Sequence, residues 1–227
     1  GGTLPLSSRK RLQDVFPQAS VYRTYGQTET FRSLIQKNEL TAETHGKPLA
    51  GVQVRLIDES GAEVANGVEG ELVHSGAGAM LGYLHEPGSN AKWREVRTGD
   101  YFVRDDDGAY KFRGRRDDLI KRWETRMHLS EVEAVLLGVR GVSAACVLHR
   151  PAADHRQNEL AAFVIAENLE GKSLKQMEEA IMQDCARELS TSKIPDEIFV
   201  IEDFPKTASQ KMDRNALRAI WEKKNAK

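Results

Sequence analysis

The sequence has two cysteines, few aromatic residues, no long apolar run and no excess of charge of one sign. Each shortage excludes a class. Cys146 and Cys185 form no Cys-x-x-Cys pair and no disulfide framework, and no Asn-x-Ser/Thr acceptor occurs, so a reducing, cytoplasmic setting is expected. The longest unbroken apolar stretch, Leu160 to Ala166, has seven residues where a membrane span needs about 20, so no membrane span is expected. Lys and Arg number 33 against 34 Asp and Glu, a net charge of −1, which argues against a nucleic-acid binder. Gly1-Gly2-Thr3-Leu4-Pro5 carries no charged segment followed by an apolar stretch, and it reads as the interior of a longer protein.

What is present is 227 residues, 40% hydrophobic and 30% charged, enough for one or two globular domains. Short strands dominate from about residue 50 to residue 115. Val52 to Asp58 alternates and ends in a Glu59-Ser60-Gly61 turn, and Gly70 to His74 reads as a second strand. Tyr101 to Arg104 and Ala109 to Phe112 flank Asp105-Asp106-Asp107-Gly108 as a hairpin. The pattern changes after Arg116. Ser130 to Leu137 is expected to be helical, with Ser130 and Glu133 as a capping box and Gly138 as the stop. Val142 to Leu148 and Leu160 to Ala166 read as buried strands. Ser173 to Leu189 carries Leu174, Met177, Ile181, Cys185 and Leu189 on one helical face, with a second capping box at Ser173 and Gln176. Glu197 to Ile201 reads as a strand. Asp213 caps a last helix whose Leu217, Ile220 and Trp221 point one way. Strands alternating with helices make this part an α/β unit, with a boundary expected at residues 116–118.

Five motifs carry chemistry. Tyr25-Gly26-Gln27-Thr28-Glu29 joins a Gly loop to a hydroxyl and a carboxylate. The hydroxyl suits a phosphate oxygen and the hard carboxylate suits Mg²⁺; alone, the five residues also fit a plain strand-end turn. Gly70-Glu71-Leu72 runs on to Gly82-Tyr83. Thr98-Gly99-Asp100 sets a carboxylate after a Gly turn, where it can accept from ribose hydroxyls or close an Asx turn. Gly114-Arg115-Arg116-Asp117-Asp118-Leu119-Ile120-Lys121 suits a solvated link between domains. Pro205-Lys206-Thr207 through Lys211-Met212-Asp213-Arg214 puts two lysines on a loop before a helix.

In this order, tens of residues apart, the motifs resemble the second half of the adenylate-forming superfamily, which includes acyl-CoA synthetases, nonribosomal peptide synthetase adenylation domains and luciferases. The resemblance covers essentially the whole chain. Tyr25 to Glu29 running into Thr30-Phe31-Arg32-Ser33 looks most like bacterial acyl-CoA ligases. The resemblance implies an α/β (α+β) fold: residues 1–116 as the β-rich end of a large AMP-binding domain, and residues 117–227 as a small mobile C-terminal lid. It implies ATP-dependent adenylation of a small-molecule carboxylate to acyl-AMP and pyrophosphate. A thiol of CoA, or of the phosphopantetheine on an acyl or peptidyl carrier protein, then displaces AMP. Carried over residue by residue, Gly2 and Thr3 lie against the adenine and Tyr25 stacks on it. Gly26 and Gln27 belong to the same nucleotide loop, Thr28 binds phosphate and Glu29 holds Mg²⁺. Asp100 grips the ribose hydroxyls with Arg115 beside it. Asp117 is the hinge, Arg126 approaches phosphate, and Lys211 is the mobile lysine at the substrate carboxylate. The chemistry suits Lys211: the transition state gathers negative charge at the α-phosphate, and a cation delivered by a closing lid stabilises it where water is excluded.

Three departures from the family pattern stand out. The glycine-rich Thr/Ser phosphate loop has no counterpart, and no Gly-x₄-Gly-Lys-Ser/Thr replaces it. Where the family reads Lys-x-x-Gly-x-Arg, this chain has Lys121-Arg122-Trp123-Glu124-Thr125-Arg126, and Glu124 is expected to disfavour the glycine's backbone and to weaken thioester formation. The glycine before the family's last lysine is Gln210. Two readings follow: the C-terminal half of a carboxylate–AMP ligase, inactive alone, or a truncated non-catalytic homologue that binds a nucleotide or a partner.

Overall fold

The short alternating stretches of the first half build two antiparallel sheets in the computed structural model, which describes residues 11–12, 14–38, 44–76, 78–83, 95–152, 157–166, 171 and 173–225. The chain divides into two units, Gly1–Asp117 and Asp118–Lys227. In the first unit, β1 (Tyr22–Tyr25), β2 (Leu34–Lys37) and β3 (Lys47–Pro48) form a small sheet. A four-stranded meander follows: β4 (Val52–Ile57), β5 (Glu69–Gly76), β6 (Glu95–Arg104) and β7 (Tyr110–Arg115), each paired antiparallel with the next. The Asp105–Gly108 turn joins β6 to β7, with Gly108 at φ 81°. Leu34 of the small sheet packs with Leu56, Leu72, Phe102 and Tyr110 of the meander. The Phe102 ring lies edge-on to Tyr25 and Phe112, centroids 4.8 and 5.4 Å away. Burying such a ring stabilises by roughly 1.5–3 kcal/mol, and here it fastens the end of β1 against β6.

The second unit opens with a hairpin of β8 (Leu119–Arg122) and β9 (Thr125–His128), followed by α1 (Leu129–Gly138), β10 (Val142–Pro151), β11 (Asn158–Ala166), α2 (Leu174–Glu188), β12 (Glu197–Val200) and α3 (Arg214–Asn225). β11 is central in the β10–β11–β12 sheet, antiparallel to β10 and parallel to β12, with α2 as the crossover. Both faces of this sheet are covered, which is why β11 is apolar from Leu160 to Ala166 instead of alternating. Leu160, Ala162 and Val164 pack with Leu129, Val132, Leu136, Met177 and Ile181 on the side of α1 and α2. Ala161 and Phe163 pack with Phe199, Leu217 and Trp221 on the side of α3.

The structure departs from the sequence reading at particular points. α1 is capped at His128, two residues before Ser130. The Glu131 carboxylate accepts the His128 N–H at 3.0 Å, while Glu133 is engaged elsewhere, accepting from Val147 N at 2.9 Å and from Arg214. Leu174 and Ile220 are 55% and 41% exposed, so the apolar faces of α2 and α3 are narrower than their sequence periodicity suggests. Ser173 and Asp213 do cap α2 and α3: Gln176 N donates to Ser173 Oγ, and Asn215 and Ala216 N–H donate to Asp213 Oδ1. The small first sheet and the β8–β9 hairpin were not anticipated.

Both glycine replacements sit in left-handed backbone. The β8–β9 turn runs through Trp123 at φ 46° and Glu124 at φ 65°, and Gln210 has φ 61°. Two consecutive positive φ values suit a tight hairpin, a geometry that glycine and asparagine adopt most readily. Holding an L-residue there costs roughly 1–2 kcal/mol. The greater freedom of glycine in the unfolded chain offsets about 0.4–1 of that. Gln210→Gly is therefore expected to stabilise the chain by about 0.5–1 kcal/mol. Glu124→Gly should gain less, because it also removes an exposed pair with Lys121, Nζ to Oε2 2.5 Å. Urea denaturation measures both; a lower midpoint for Gln210→Gly would show that the turn is not strained.

Candidate functional site

The loop that leaves β1 is shaped by a close approach. A Cβ on Gly26 would stand 2.0 Å from the Phe31 carbonyl oxygen, so no other residue fits without moving backbone. The turn it allows is closed by Gln27 N donating to Thr30 Oγ1 at 3.1 Å, and by Ser33 N donating to the Tyr25 carbonyl at 2.8 Å. Thr30 and Ser33 are buried, and Ser33 Oγ lies 2.9 Å from His74 Nδ1 on β5. Thr28 is left exposed at the tip. The Glu29 main chain is pinned by Met80 N to its carbonyl at 2.8 Å, while its carboxylate accepts the Tyr83 hydroxyl. That bond, more than any charge, holds the Glu29 carboxyl below its usual range, so it stays ionised.

Asp100 gathers the loop's other groups. Its carboxylate is 3% exposed, and it accepts from three side chains. Tyr25 Oη donates to Oδ2 at 2.6 Å, Gln27 Nε2 donates to Oδ2 at 2.7 Å, and Arg115 Nε meets Oδ1 at 3.1 Å. Gln27 Nε2 also donates to the Thr98 carbonyl at 2.8 Å. A carboxylate offers about four acceptor positions, so Oδ1 keeps room for one more donor. Burial, then the charge of Asp100, pushes the Tyr25 hydroxyl far above its ordinary value, which keeps it protonated and donating. Tyr25, Gln27, Asp100 and Arg115 are thus one cluster, with Glu29 and Thr28 on the same loop. Thr98-Gly99-Asp100 lies inside β6, where the sequence suggested a free turn: it bulges out of the pairing with β5. The sequence reading gave Glu71 no role. Glu71 is 1% exposed and accepts the Gly99 N–H at 3.0 Å. The available signal was a charged residue within Gly70 to His74, a stretch buried on both faces.

In the second unit, Lys211 follows a tight turn. Thr207 N donates to the Lys211 carbonyl at 2.7 Å, Gln210 N to the Thr207 carbonyl at 2.9 Å, and Lys206 pairs with Met212 as an isolated antiparallel bridge. The Lys211 side chain is exposed and has no ion pair among the described residues, whereas Lys206 Nζ meets Asp203 Oδ2 at 3.2 Å. Arg126 lies exposed on β9, opposite Lys121. Glu124 is a solvated carboxylate, its side chain 89% exposed and paired with Lys121. Asp117 is exposed at the last position of the first unit. Gly2 and Thr3 lie outside the described residues. Among the described residues, no group of three or more His, Cys, Asp or Glu side chains is placed to hold a metal. No helix among them is long and apolar enough to cross a membrane.

Residues 1–84 match the AMP-binding enzyme family, and residues 131–211 match the AMP-binding enzyme C-terminal domain. The chain belongs to the AMP-binding enzymes. It is 30% identical, over 220 residues, to the D-alanine–D-alanyl carrier protein ligase of Lacticaseibacillus casei strain BL23, covering 90% of this chain and 43% of that ligase. Among solved structures it resembles a benzoate CoA ligase from Burkholderia xenovorans LB400, at 27% identity and a TM-score of 0.80 over 96% of this chain and 44% of that one. It also resembles the O-succinylbenzoate coenzyme A synthetase of Bacillus subtilis in complex with ATP and magnesium ion, at 25% identity and a TM-score of 0.78, over 96% and 45%. The chain thus spans less than half the length of each of these ligases.

The Gly26 contact gives a direct check on the loop. Overpacking against fixed backbone typically costs about 1–3 kcal/mol, so Gly26→Ala should lower stability by that amount. Gly138→Ala is the comparison, because Gly138 does not sit at positive φ and a Cβ there meets nothing within 4 Å. Equal effects in thermal denaturation would mean the Gly26 approach does not constrain the loop.

Proposed function

We propose that these residues act as the C-terminal part of a ligase that activates a small-molecule carboxylate with ATP and passes the acyl group to a thiol. The observation that carries this reading is the Asp100 cluster: a buried carboxylate with three donors in place and an acceptor position to spare, suited to a ribose hydroxyl. In the first half-reaction a carboxylate oxygen attacks the α-phosphorus and pyrophosphate leaves with the electron pair of the broken bond. In the second, a thiolate attacks the acyl carbonyl and AMP leaves.

The chain's own groups divide this work. Asp100 accepts from the ribose, Arg115 stays beside it, and Tyr25 sets the wall of the base site. Thr28, exposed on the loop, donates to phosphate. Glu29, ionised and reachable, suits Mg²⁺, which commonly uses one or two carboxylates and takes its remaining ligands from phosphates and water; bound there, the metal would neutralise phosphate charge. Gly2 and Thr3 keep the adenine-side role that the resemblance gives them. The second unit is read as a lid turning about Asp117, with Arg126 approaching phosphate and Lys211 reaching the substrate carboxylate and the bridging oxygens in the adenylating state. The acceptor thiol is that of CoA or of a carrier-protein pantetheine: names of both kinds occur among the relatives. The two thiols of the chain take no part. Both are buried and unpaired, and burial pushes Cys146 up to about 12 and Cys185 up to about 11. Unpaired thiols accord with a cytoplasmic setting.

Lys211 provides the test. In the ligase carrying this chain, Lys211→Ala should slow acyl-AMP formation by roughly 10²–10³-fold, the usual effect of removing one preorganised charge donor. Transfer from preformed acyl-AMP to the thiol should stay near wild type. Lys206→Ala, which removes only an exposed pair with Asp203, should leave both steps unchanged. Equal adenylation rates for wild type and the two variants would overturn the role of Lys211.

A further inference from the structure

A bulge breaks a strand's ladder and re-aims the side chain that it carries. β6 bulges against β5. Glu71 of β5 pairs with Tyr101 and Val73 pairs with Arg97, so Leu72 alone faces Thr98, Gly99 and Asp100. A bulge of this size leaves backbone groups without ladder partners, and four of them are met by side chains. The Thr98 hydroxyl donates to the Leu72 carbonyl at 2.8 Å and accepts the Asp100 N–H at 3.2 Å. The Thr98 carbonyl accepts from Gln27. Gly99, at φ 68°, turns its N–H inward, and Glu71 Oε1 accepts it at 3.0 Å. A Cβ on Gly99 would meet nothing within 4 Å, so glycine is there for its backbone angle and not for space.

Glu71 is costly to place. A fully buried carboxylate loses its hydration and must be compensated by charge and hydrogen bonds. Arg97 supplies both, with Nε at 2.9 Å and Nη2 at 2.5 Å from Oε2, and Arg116 Nη1 stands 3.8 Å from Oε1. An apolar side chain would fill the same strand position without that cost. What the carboxylate does that an apolar group cannot is hold the Gly99 N–H, and with it the direction of Asp100.

We propose that Glu71 is a positioning residue: by accepting the Gly99 N–H while braced by Arg97, it fixes the bulge that aims Asp100 and so sets discrimination for the ribose hydroxyls of the nucleotide. The proposal rests on the reading of Asp100 given above. It assigns to Glu71 no contact with substrate. Glu71 acts through one backbone hydrogen bond, and its removal frees Asp100 to turn while leaving the donors on Asp100 intact.

The experiment compares binding of AMP with binding of 2′,3′-dideoxy-AMP, by calorimetry, in the ligase carrying this chain. A hydrogen bond to a charged group discriminates by about 10-fold or more, so the wild type should prefer AMP by at least that ratio. In Glu71→Ala the ratio should fall to within about threefold, with dideoxy-AMP binding unchanged. Gly99→Ala is the second variant. It leaves Glu71 in place and creates no clash, yet strains the bulge, and it should also reduce the ratio. A Glu71→Ala protein that keeps the wild-type ratio, or that weakens both ligands equally, would overturn the proposal and mark Glu71 as a general stabiliser. If Glu71→Ala does not fold, a wild-type ratio in Gly99→Ala overturns it. A wild type with no preference would instead bring down the reading of Asp100, and this one with it.

Discussion

Everything in the first unit answers to one constraint: two carboxylates are buried within a single bulge and each must be compensated. Asp100 and Glu71 stand on neighbouring strands, either side of Gly99. A buried carboxylate loses its hydration and must be compensated by charge and hydrogen bonds. The fold resolves this by feeding cations in from the rim. Arg115 serves Asp100, while Arg97 and Arg116 serve Glu71, and all three side chains are at least half exposed. Their heads reach the acids, so each acid is buried while each arginine keeps water. The neutral donors, Tyr25 and Gln27, come from the loop after β1, so the loop is tied to the sheet by the same carboxylate that it helps to satisfy.

The second unit solves a different problem. Its sheet is dry on both faces, with Phe163 stacked on Phe199 at 4.7 Å on one side and α1 and α2 closing the other. Nothing in that interior is reactive. The residues of interest stand on its edges, at the β8–β9 hairpin and on the loop before α3. Arg214 opens α3 and binds both Asp118 and Glu133, at 2.9 and 3.3 Å. Glu133 is a half-buried acid whose carboxyl is pushed up by desolvation, against the pull of Val147 N and of Arg214. The start of α3, the middle of α1 and the first residue of the unit are therefore joined through one guanidinium. A loop that must carry a charge reliably benefits from such a rigid base.

The sequence was legible where one physical signal dominated. Continuous apolar character at Leu160 to Ala166, Ser173 with Gln176, and Asp213 before a helical face each have a single structural outcome, and each was realised. The Asp-Gly hairpin behaved likewise. Illegible stretches were those decided by partners far along the chain. β1 and β2 are four residues each and carry Arg, Thr, Gln and Lys, so their pairing follows from Leu34 and Tyr25 reaching the meander core and not from any alternation. The cap of α1 passed from Ser130 to His128 because Glu133 was already claimed by Val147 and Arg214, neither of them nearby in sequence. For the site, the resemblance brought Tyr25, Gln27, Asp100 and Arg115 together, and the geometry joins them by hydrogen bonds. Glu71 escaped because its partners, the Gly99 N–H and Arg97, lie far along the chain, and its charge within a buried strand was the one mark it left.

The two replaced glycines bear on what fixes the loops. Glycine at a left-handed position is commonly taken as the cause of a turn, since it removes the steric cost. At Glu124 and Gln210 the turn persists without it. The backbone angle must then be imposed by the surroundings. Around Gln210 those are the Thr207–Lys211 and Gln210–Thr207 hydrogen bonds and the Lys206–Met212 bridge; around Glu124 they are the paired strands β8 and β9, anchored by Arg122, whose Nη1 donates to the Ile194 carbonyl at 2.7 Å and whose Nη2 meets Asp196 Oδ1 at 2.6 Å. Strain persists only where neighbouring structure over-determines it. The direction in which Lys211 leaves the chain is accordingly set by Thr207 and the bridge beside it, and a glycine at position 210 would relieve that turn without being needed to make it.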